Sequence, residues 1–291
     1  MSNKTWNILA AAALFVAAPI LAAPERLVVP LTDPAKPATV EVSLLQGSIH
    51  VVAGKAGEVV IVAEAEADGD RGDEECANCP VIAGKAKEKG KGEGGRTSGM
   101  RRIPNSGFEL EAEEERNRVA IGTNSWSRAI ALRIEVPPAS SLELSLVNGE
   151  AIVVEGVGGE LELHNTNGDI RVRDARGPVS ANTVNGAIEI GFRGPLPGSP
   201  MAFSTLNGDI DLELPRDAKL DVRLRSDNGE IYSDFDVALA PKAAKVEEDR
   251  GKGKYRVSVA KELTGKIGGG GPEIFLKTFN GDIVLRAHGG D

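Results

Sequence analysis

The two cysteines are the side chains whose spacing most directly suggests chemistry. Cys76 and Cys79 form the motif CANC, which allows a local disulfide, a redox-active pair or half of a zinc site. A zinc site needs two further nitrogen or sulfur ligands, and a thioredoxin-like pair lies beside a βαβ unit. The surrounding sequence offers neither, so the spacing favours a short disulfide, which requires an oxidising compartment.

Acidic residues recur two positions after a repeated asparagine and could form a calcium-binding ladder. They are Asp169, Asp209, Glu230 and Asp282. Calcium prefers several oxygen ligands, whereas each copy supplies one carboxylate, and Ala187 interrupts the series. We therefore expect polar turn residues that face water, and no metal site.

No group of residues has the spacing of a catalytic centre. The three histidines, His50, His164 and His288, are far apart, and the sequence contains no GxSxG motif. Exposed aromatic platforms for sugar binding are scarce, and the phenylalanines are expected to fill core or corner positions. These are Phe192, Phe203, Phe235, Phe275 and Phe279. The sequence predicts a non-catalytic protein without a cofactor.

Charge and composition exclude further classes. The chain has 34 Lys+Arg against 43 Asp+Glu, a formal net charge of −9. Nucleic-acid binding needs clustered basic residues, so a nucleic-acid partner is not expected. Two cysteines in 291 residues exclude a small domain held together by several disulfides.

The N-terminus has the order of a secretory signal peptide. Lys4 precedes the apolar run ILAAALFVAAPIL, and the small residues Ala22 and Ala23 follow. This run is shorter than the roughly 20 residues that span a bilayer, and no second run of membrane length follows it. We expect cleavage after residue 22 and export to the periplasm or the cell surface, with no transmembrane segment remaining.

An Asn-Gly pair recurs through most of the chain. The pairs are Asn148-Gly149, Asn167-Gly168, Asn185-Gly186, Asn207-Gly208, Asn228-Gly229 and Asn280-Gly281. The first five are 19, 18, 22 and 21 residues apart, and the last interval of 52 leaves room for an extra coil and a loop. Gln46-Gly47 fits the same frame as a divergent earlier copy. A sharp corner needs positive φ, which glycine adopts freely and asparagine tolerates best among the other residues.

Apolar residues alternate with polar ones on both sides of each pair. They lie six and four residues before the asparagine and three and five after it, as in Leu161/Leu163 and Ile170/Val172. Period-two alternation predicts strands with one buried face. Two folds fit: an antiparallel β-meander or sandwich with hairpin turns, and an all-β parallel solenoid with one corner per coil. The small polar residue two positions before most of the asparagines favours the solenoid, because stacked coils would align it in a ladder.

The repeat also suggests the domain organisation. We expect a signal peptide at 1–22, an N-terminal β-region at 23–67, a charged Gly-rich insertion at 68–118 and the solenoid at 119–291. The insertion is expected to be largely disordered, because it has few large aliphatic residues.

The turns NGDI and NGEI, the stretch GVGGELELHNTNGDIRV and the ending GGGGPEIFLKTFNGDIVLR resemble the bacterial putative adhesin family. The resemblance covers roughly residues 40–286 and implies a secreted β-solenoid domain of unknown function, with no catalytic residues to transfer. We expect an envelope or surface scaffold that binds an unknown macromolecule through a repetitive face. An envelope-stress sensor and a polysaccharide-acting enzyme are the alternatives.

Overall fold

The fold is described from a computed structural model of the protein. The structure describes residues 25–65, 109–123, 128–240, 244–249, 254–259 and 262–288. Cys76 and Cys79, and the predicted signal peptide, lie outside the described residues. Within those residues there is no helix of the length and apolarity that crossing a membrane requires.

The described chain forms twenty strands. They are β1 (Glu25–Pro30), β2 (Thr39–Ala53), β3 (Glu58–Ala65), β4 (Leu110–Glu115), β5 (Arg118–Thr123), β6 (Ile130–Val136), β7 (Ser141–Glu155), β8 (Leu161–Ala175), β9 (Val179–Asn182), β10 (Ile188–Phe192), β11 (Met201–Asn207), β12 (Ile210–Pro215), β13 (Leu220–Asn228), β14 (Ile231–Ser233), β15 (Ala238–Leu239), β16 (Ala244–Asp249), β17 (Lys254–Val259), β18 (Leu263–Ile267), β19 (Glu273–Asn280) and β20 (Ile283–His288). Each coil has a first arm before the Asn-Gly corner and a second arm after it. β2, β7 and β8 continue through the corner and supply both arms.

Successive coils pair in parallel and in register. In the second arm Ile170 lies beside Ile188, which lies beside Ile210 on its other side. The same column continues through Ile283 to Ile231. The prediction of a parallel β-solenoid is therefore confirmed, and the antiparallel meander is wrong for these coils.

The alternation of side chains places the core between the two arms. β8 shows it in Leu161, Leu163, Ile170 and Val172, all of which are at most 2% exposed. Neighbouring strands lie about 4.8 Å apart, so each buried side chain packs on its equivalent in the next coil. The apolar columns of all the coils join in one continuous hydrophobic core.

The spatial order of the coils differs from their order in the sequence. From one end to the other they run β5–β6, β2, β7, β8, β9–β10, β11–β12, β19–β20 and β13–β14. The C-terminal coil is thus inserted between the two coils that precede it in the chain. This arrangement places the last Asn-Gly pair inside the stack.

The 52-residue interval before that pair does not contain an extra coil among its described residues. It supplies β15, the antiparallel pair β16–β17, and β18, which pairs antiparallel with β13 and covers that end of the first arms. The described residues in which the sequence predicts an extra coil therefore contribute strands that cover the end of the stack.

The opposite end is also closed by antiparallel strands. β3 pairs with β6 and with β1, and β4 pairs with β5. The end strand β4 has the sequence LEAEEE, and such charge on an edge opposes pairing with another chain. β4 also falls within the predicted insertion 68–118, so the solenoid begins before residue 119, and β2 is itself a complete coil.

Candidate binding surface

Six asparagine side chains form a continuous amide ladder along the corner of the solenoid. In stacking order they are Asn148, Asn167, Asn185, Asn207, Asn280 and Asn228. Each Nδ2 after the first donates to the Oδ1 of the preceding asparagine, at 2.7 Å in four bonds and 3.0 Å in the last. An amide carries both a donor and an acceptor, so identical amides one strand apart satisfy one another.

Glycine is required at the next position for two reasons. Gly168, Gly186, Gly208 and Gly281 have φ between 139° and 157°, a region that favours glycine. A Cβ on Gly208 would also overlap the carbonyl oxygen of Gly186 in the neighbouring coil. The predicted positive φ is therefore found at these glycines and not at the corner asparagines. The asparagines instead contribute their side chains to the amide ladder.

The small polar residues two positions before the asparagine point into the stack. Thr183, Thr205 and Thr278 are at most 6% exposed, and each Oγ1 donates to the carbonyl oxygen of a corner glycine in the adjacent coil at 2.9–3.0 Å. Ser226 makes the equivalent bond to Gly281 at 2.9 Å. This is the ladder that favoured the solenoid in the sequence, and it satisfies carbonyl groups that lie at the end of the core.

Three of the four acidic residues two positions after the asparagine accept a hydrogen bond from a backbone N–H of the next coil. Asp169 Oδ1 accepts the N–H of Ala187 at 2.9 Å, and Asp209 Oδ1 accepts the N–H of Asp282 at 2.8 Å. Asp282 Oδ1 in turn accepts the N–H of Glu230 at 2.8 Å. Within the described chain, no three His, Cys, Asp or Glu side chains come together as metal ligands.

Ala187 interrupts this series of carboxylates, so replacing it with a side-chain acceptor should stabilise the stack. In Ala187→Asn, the new Oδ1 would accept the N–H of Asp209, as Asp169 accepts that of Ala187. We expect the free energy of unfolding to rise by about 0.5–1 kcal/mol, measured by urea denaturation.

Two further variants at the same position separate hydrogen bonding from size and charge. Ala187→Leu has the size of asparagine without an acceptor and should bring no gain. Ala187→Asp supplies the acceptor but places a carboxylate between two others, so its gain should be smaller. An equal gain from leucine and asparagine would contradict the hydrogen-bond explanation.

The outer face of the first arms carries an exposed apolar column. It consists of the residues directly before the corner asparagine or glutamine. In stacking order they are Leu45, Val147, Thr166, Val184, Leu206, Phe279 and Asp227. Leu206 is 46% exposed and Phe279 is 44% exposed. Five of the seven positions therefore carry a large apolar side chain that is exposed to solvent.

This column was missed in the sequence, although the repeat contains the signal. The residue before the asparagine is aliphatic or aromatic in four of the six copies, at a position that must point away from the core. Phe279 does not fill a core position: it lies directly before the corner asparagine Asn280 and is 44% exposed. Phe192 and Phe203 are buried, Phe235 packs partly buried against the core, and the ring of Phe275 lies 5.2 Å from the guanidinium carbon of Arg223.

A shallow groove of about 380 Å³ follows the same face. Val184, Leu206 and Phe279 form its apolar side, and Lys277 and Arg225 are among its polar lining residues. Arg225 is fixed by Asp227 at 3.1 Å. The face therefore combines a regular apolar ridge with charged groups at one end.

The outer face of the second arms has a different character. A depression of about 420 Å³ there is lined by ionic groups from β8, β10, β12 and β20. Arg286 Nε bonds both carboxylate oxygens of Asp211, at 3.0 and 2.7 Å, and this contact raises the pKa of Arg286, which keeps it charged. His288 Nδ1 lies 2.8 Å from Glu213 Oε1.

The three histidines remain separate, as their spacing predicts. His288 lies beside Glu213, His164 Nε2 lies 3.1 Å from Glu162, and His50 Nδ1 lies 3.3 Å from an Arg133 nitrogen. Each belongs to a different part of the outer surface, so the structure does not bring them together in one site.

Comparison with protein families gives a match that covers nearly all of the stacked coils. A family model described as Toastrack DUF4097 matches residues 39–286. No curated protein matches the sequence. A solved structure described as a "putative cell adhesion protein" from Clostridium sporogenes ATCC 15579 is similar over 91% of this chain and 100% of its own, with 10% sequence identity and a TM-score of 0.44.

Proposed function

The chain belongs to the Toastrack DUF4097 family, a family of unknown function, and from this premise we propose that it is a non-catalytic, exported scaffold of the cell envelope or surface. Its apolar column binds a macromolecular partner in an adhesin-like manner. The signal-peptide pattern of residues 1–22 supports export. The exposed apolar column is the observation on which the binding role depends.

The apolar column supports a binding role because the fold gives no other reason for it. These side chains point away from the core, and the amide ladder beside them is satisfied without them. Contiguous exposed apolar surface on a soluble protein usually marks an interaction site. Parallel stacking also holds the side chains at a constant spacing on a rigid sheet, so little conformational entropy is lost when a partner binds.

Site-specific photocrosslinking in the native envelope tests this proposal. A photoreactive phenylalanine analogue is placed at Leu206 or Phe279 of the full chain in its host. After irradiation we expect a discrete adduct from both positions, and Leu206→Gln should lower the adduct yield at Phe279 at least fivefold. The envelope fraction is analysed by mass spectrometry, so export is measured in the same experiment.

Two exposed positions away from the column serve as matched controls. Leu239 is 58% exposed in β15, and Tyr232 is 54% exposed on the second arm. The analogue at these positions should give no adduct of the same mass, and Leu239→Gln should leave the adduct at Phe279 unchanged. Equal adducts from column and control positions, or none from the column, would overturn the proposal.

A further inference from the structure

A glycine is among the residues that line the depression on the second arms. Gly191 in β10 lies between Arg173 of β8 and Glu213 of β12. Arg286 and His288 of β20, in the coil after β12, also line the depression. The depression has a volume of about 420 Å³.

The fold does not require glycine at residue 191. Unlike the corner glycines, Gly191 does not have a positive φ. A Cβ at this position would meet Glu213 Oε2 at 3.6 Å and Val172 O at 3.8 Å, which are ordinary van der Waals distances. Glycine inside a strand is less stable than alanine, so stability alone disfavours it. Its effect on the surface is to keep the depression open.

A bulge in the neighbouring strand lies at the same place. Ile190 pairs with Val172, but Phe192 pairs with Ala175, so two residues of β8 oppose Gly191. One of them is Asp174, a non-glycine residue at φ 56° that is bonded to Arg193 at 3.3 Å. Bulges redirect side chains, and residues at unfavourable φ are concentrated at functional sites.

The ionic groups around Gly191 are paired with one another. Arg286 is held by Asp211, Arg171 lies 3.4 Å from Glu189, and Arg173 lies 3.1 Å from Glu155. Three arginines and four carboxylates line the depression, so the charges nearly balance. Neither a strongly anionic nor a cationic ligand would gain much from such a site.

Paired groups of this kind still offer many hydrogen bonds. A guanidinium has five N–H donors and a carboxylate about four acceptor positions, so one ion pair leaves most of them available. In the described chain Arg286 bonds Asp211 only through Nε, which leaves the donors of both terminal nitrogens. Adjacent hydroxyl groups, which accept from a guanidinium and donate to a carboxylate, match this pattern.

We propose that the depression around Gly191 binds a neutral oligosaccharide. Its hydroxyl groups lie over the Gly191 backbone and bridge Arg173, Glu213 and Arg286. The site is on the opposite arm from the apolar column and goes beyond the function proposed above, because it assigns a ligand class to a second surface.

Binding of three carbohydrates to the full chain tests this inference by calorimetry. Chitohexaose represents neutral amino sugars, dextran represents neutral hexoses, and polygalacturonate is an anionic comparison. We expect binding of chitohexaose or dextran, and which of the two binds identifies the sugar class. Gly191→Val should weaken that binding at least tenfold while its melting temperature is unchanged or higher, because valine suits a strand. Glu213→Gln should weaken binding at least threefold.

The controls separate this site from the apolar column and from general effects of a larger side chain. Gly198→Val changes an exposed bend with open space around it and should bind sugar as the unmodified chain does. Leu206→Gln should also leave sugar binding unchanged, so the two proposals can fail independently. Absence of binding to both neutral sugars, binding of polygalacturonate alone, or unchanged affinity in Gly191→Val would overturn the inference.

Discussion

Gly208→Ala should destabilise the solenoid by at least about 4 kcal/mol. The φ of 153° costs a non-glycine residue about 1–3 kcal/mol, and the new Cβ would overlap the carbonyl oxygen of Gly186. Relieving that overlap requires two coils to separate, which breaks hydrogen bonds on both sides of the corner. The total free energy of unfolding of a folded domain is only about 5–15 kcal/mol. We therefore expect the urea concentration at the unfolding midpoint to fall strongly, as measured by circular dichroism.

Two other glycines separate the causes of this effect. Gly194 has φ 87°, but a Cβ added there would have no atom within 4 Å, so Gly194→Ala should cost only the conformational term, about 1–2 kcal/mol. Gly198 has neither constraint, and Gly198→Ala should lie within about 0.5 kcal/mol of the unmodified chain. If Gly208→Ala cost no more than Gly194→Ala, close packing of the corners would not be what requires glycine.

The sequence predicts the coils well because their signals are local and repeated. Leu161/Leu163 and Ile170/Val172 alternate with polar residues, and only one register places all four inside. The side chains two positions before the asparagine, such as Thr205, carry a further sign of stacking. Since these features recur at a nearly constant interval, the parallel solenoid follows from the repeat itself.

The order of the coils could not be predicted in this way. β19–β20 lies between β11–β12 and β13–β14, although it follows both in the chain. Every coil presents nearly the same edge, because Ile210, Ile231 and Ile283 occupy equivalent positions. Local pattern therefore does not distinguish one neighbour from another. The long-range pairing of β18 with β13, which covers the end coil, is likewise not encoded in the repeat.

The two candidate surfaces differ in how far the sequence reveals them. The apolar column can be read from the repeat, because Val184, Leu206 and Phe279 share a position that must face outward. Gly191 has no such signal, since a glycine in a strand reads as a defect or a bend until its surroundings are known. Only the space around its Cα distinguishes it from a glycine that packing requires.

The largest effect in the core is expected from Phe203, whose ring is completely buried. It lies between Ala181 in one neighbouring coil and Leu276 in the other. Phe203→Ala should lower the free energy of unfolding by about 3–5 kcal/mol, because the rigid stack cannot close the cavity. Urea denaturation followed by circular dichroism measures this loss.

A second substitution in the same column tests whether volume is what matters. Ala181 is the small neighbour of Phe203, so Ala181→Phe alone should overpack the column and cost about 1–3 kcal/mol. In the double variant the ring moves by one coil, about 4.8 Å, while the total volume is conserved. We expect the double variant to regain at least half of the stability lost in Phe203→Ala, a coupling that contacting residues show and distant ones do not. If the two costs simply added, Ala181 and Phe203 would not share one packed column, and the register that places them side by side would be wrong.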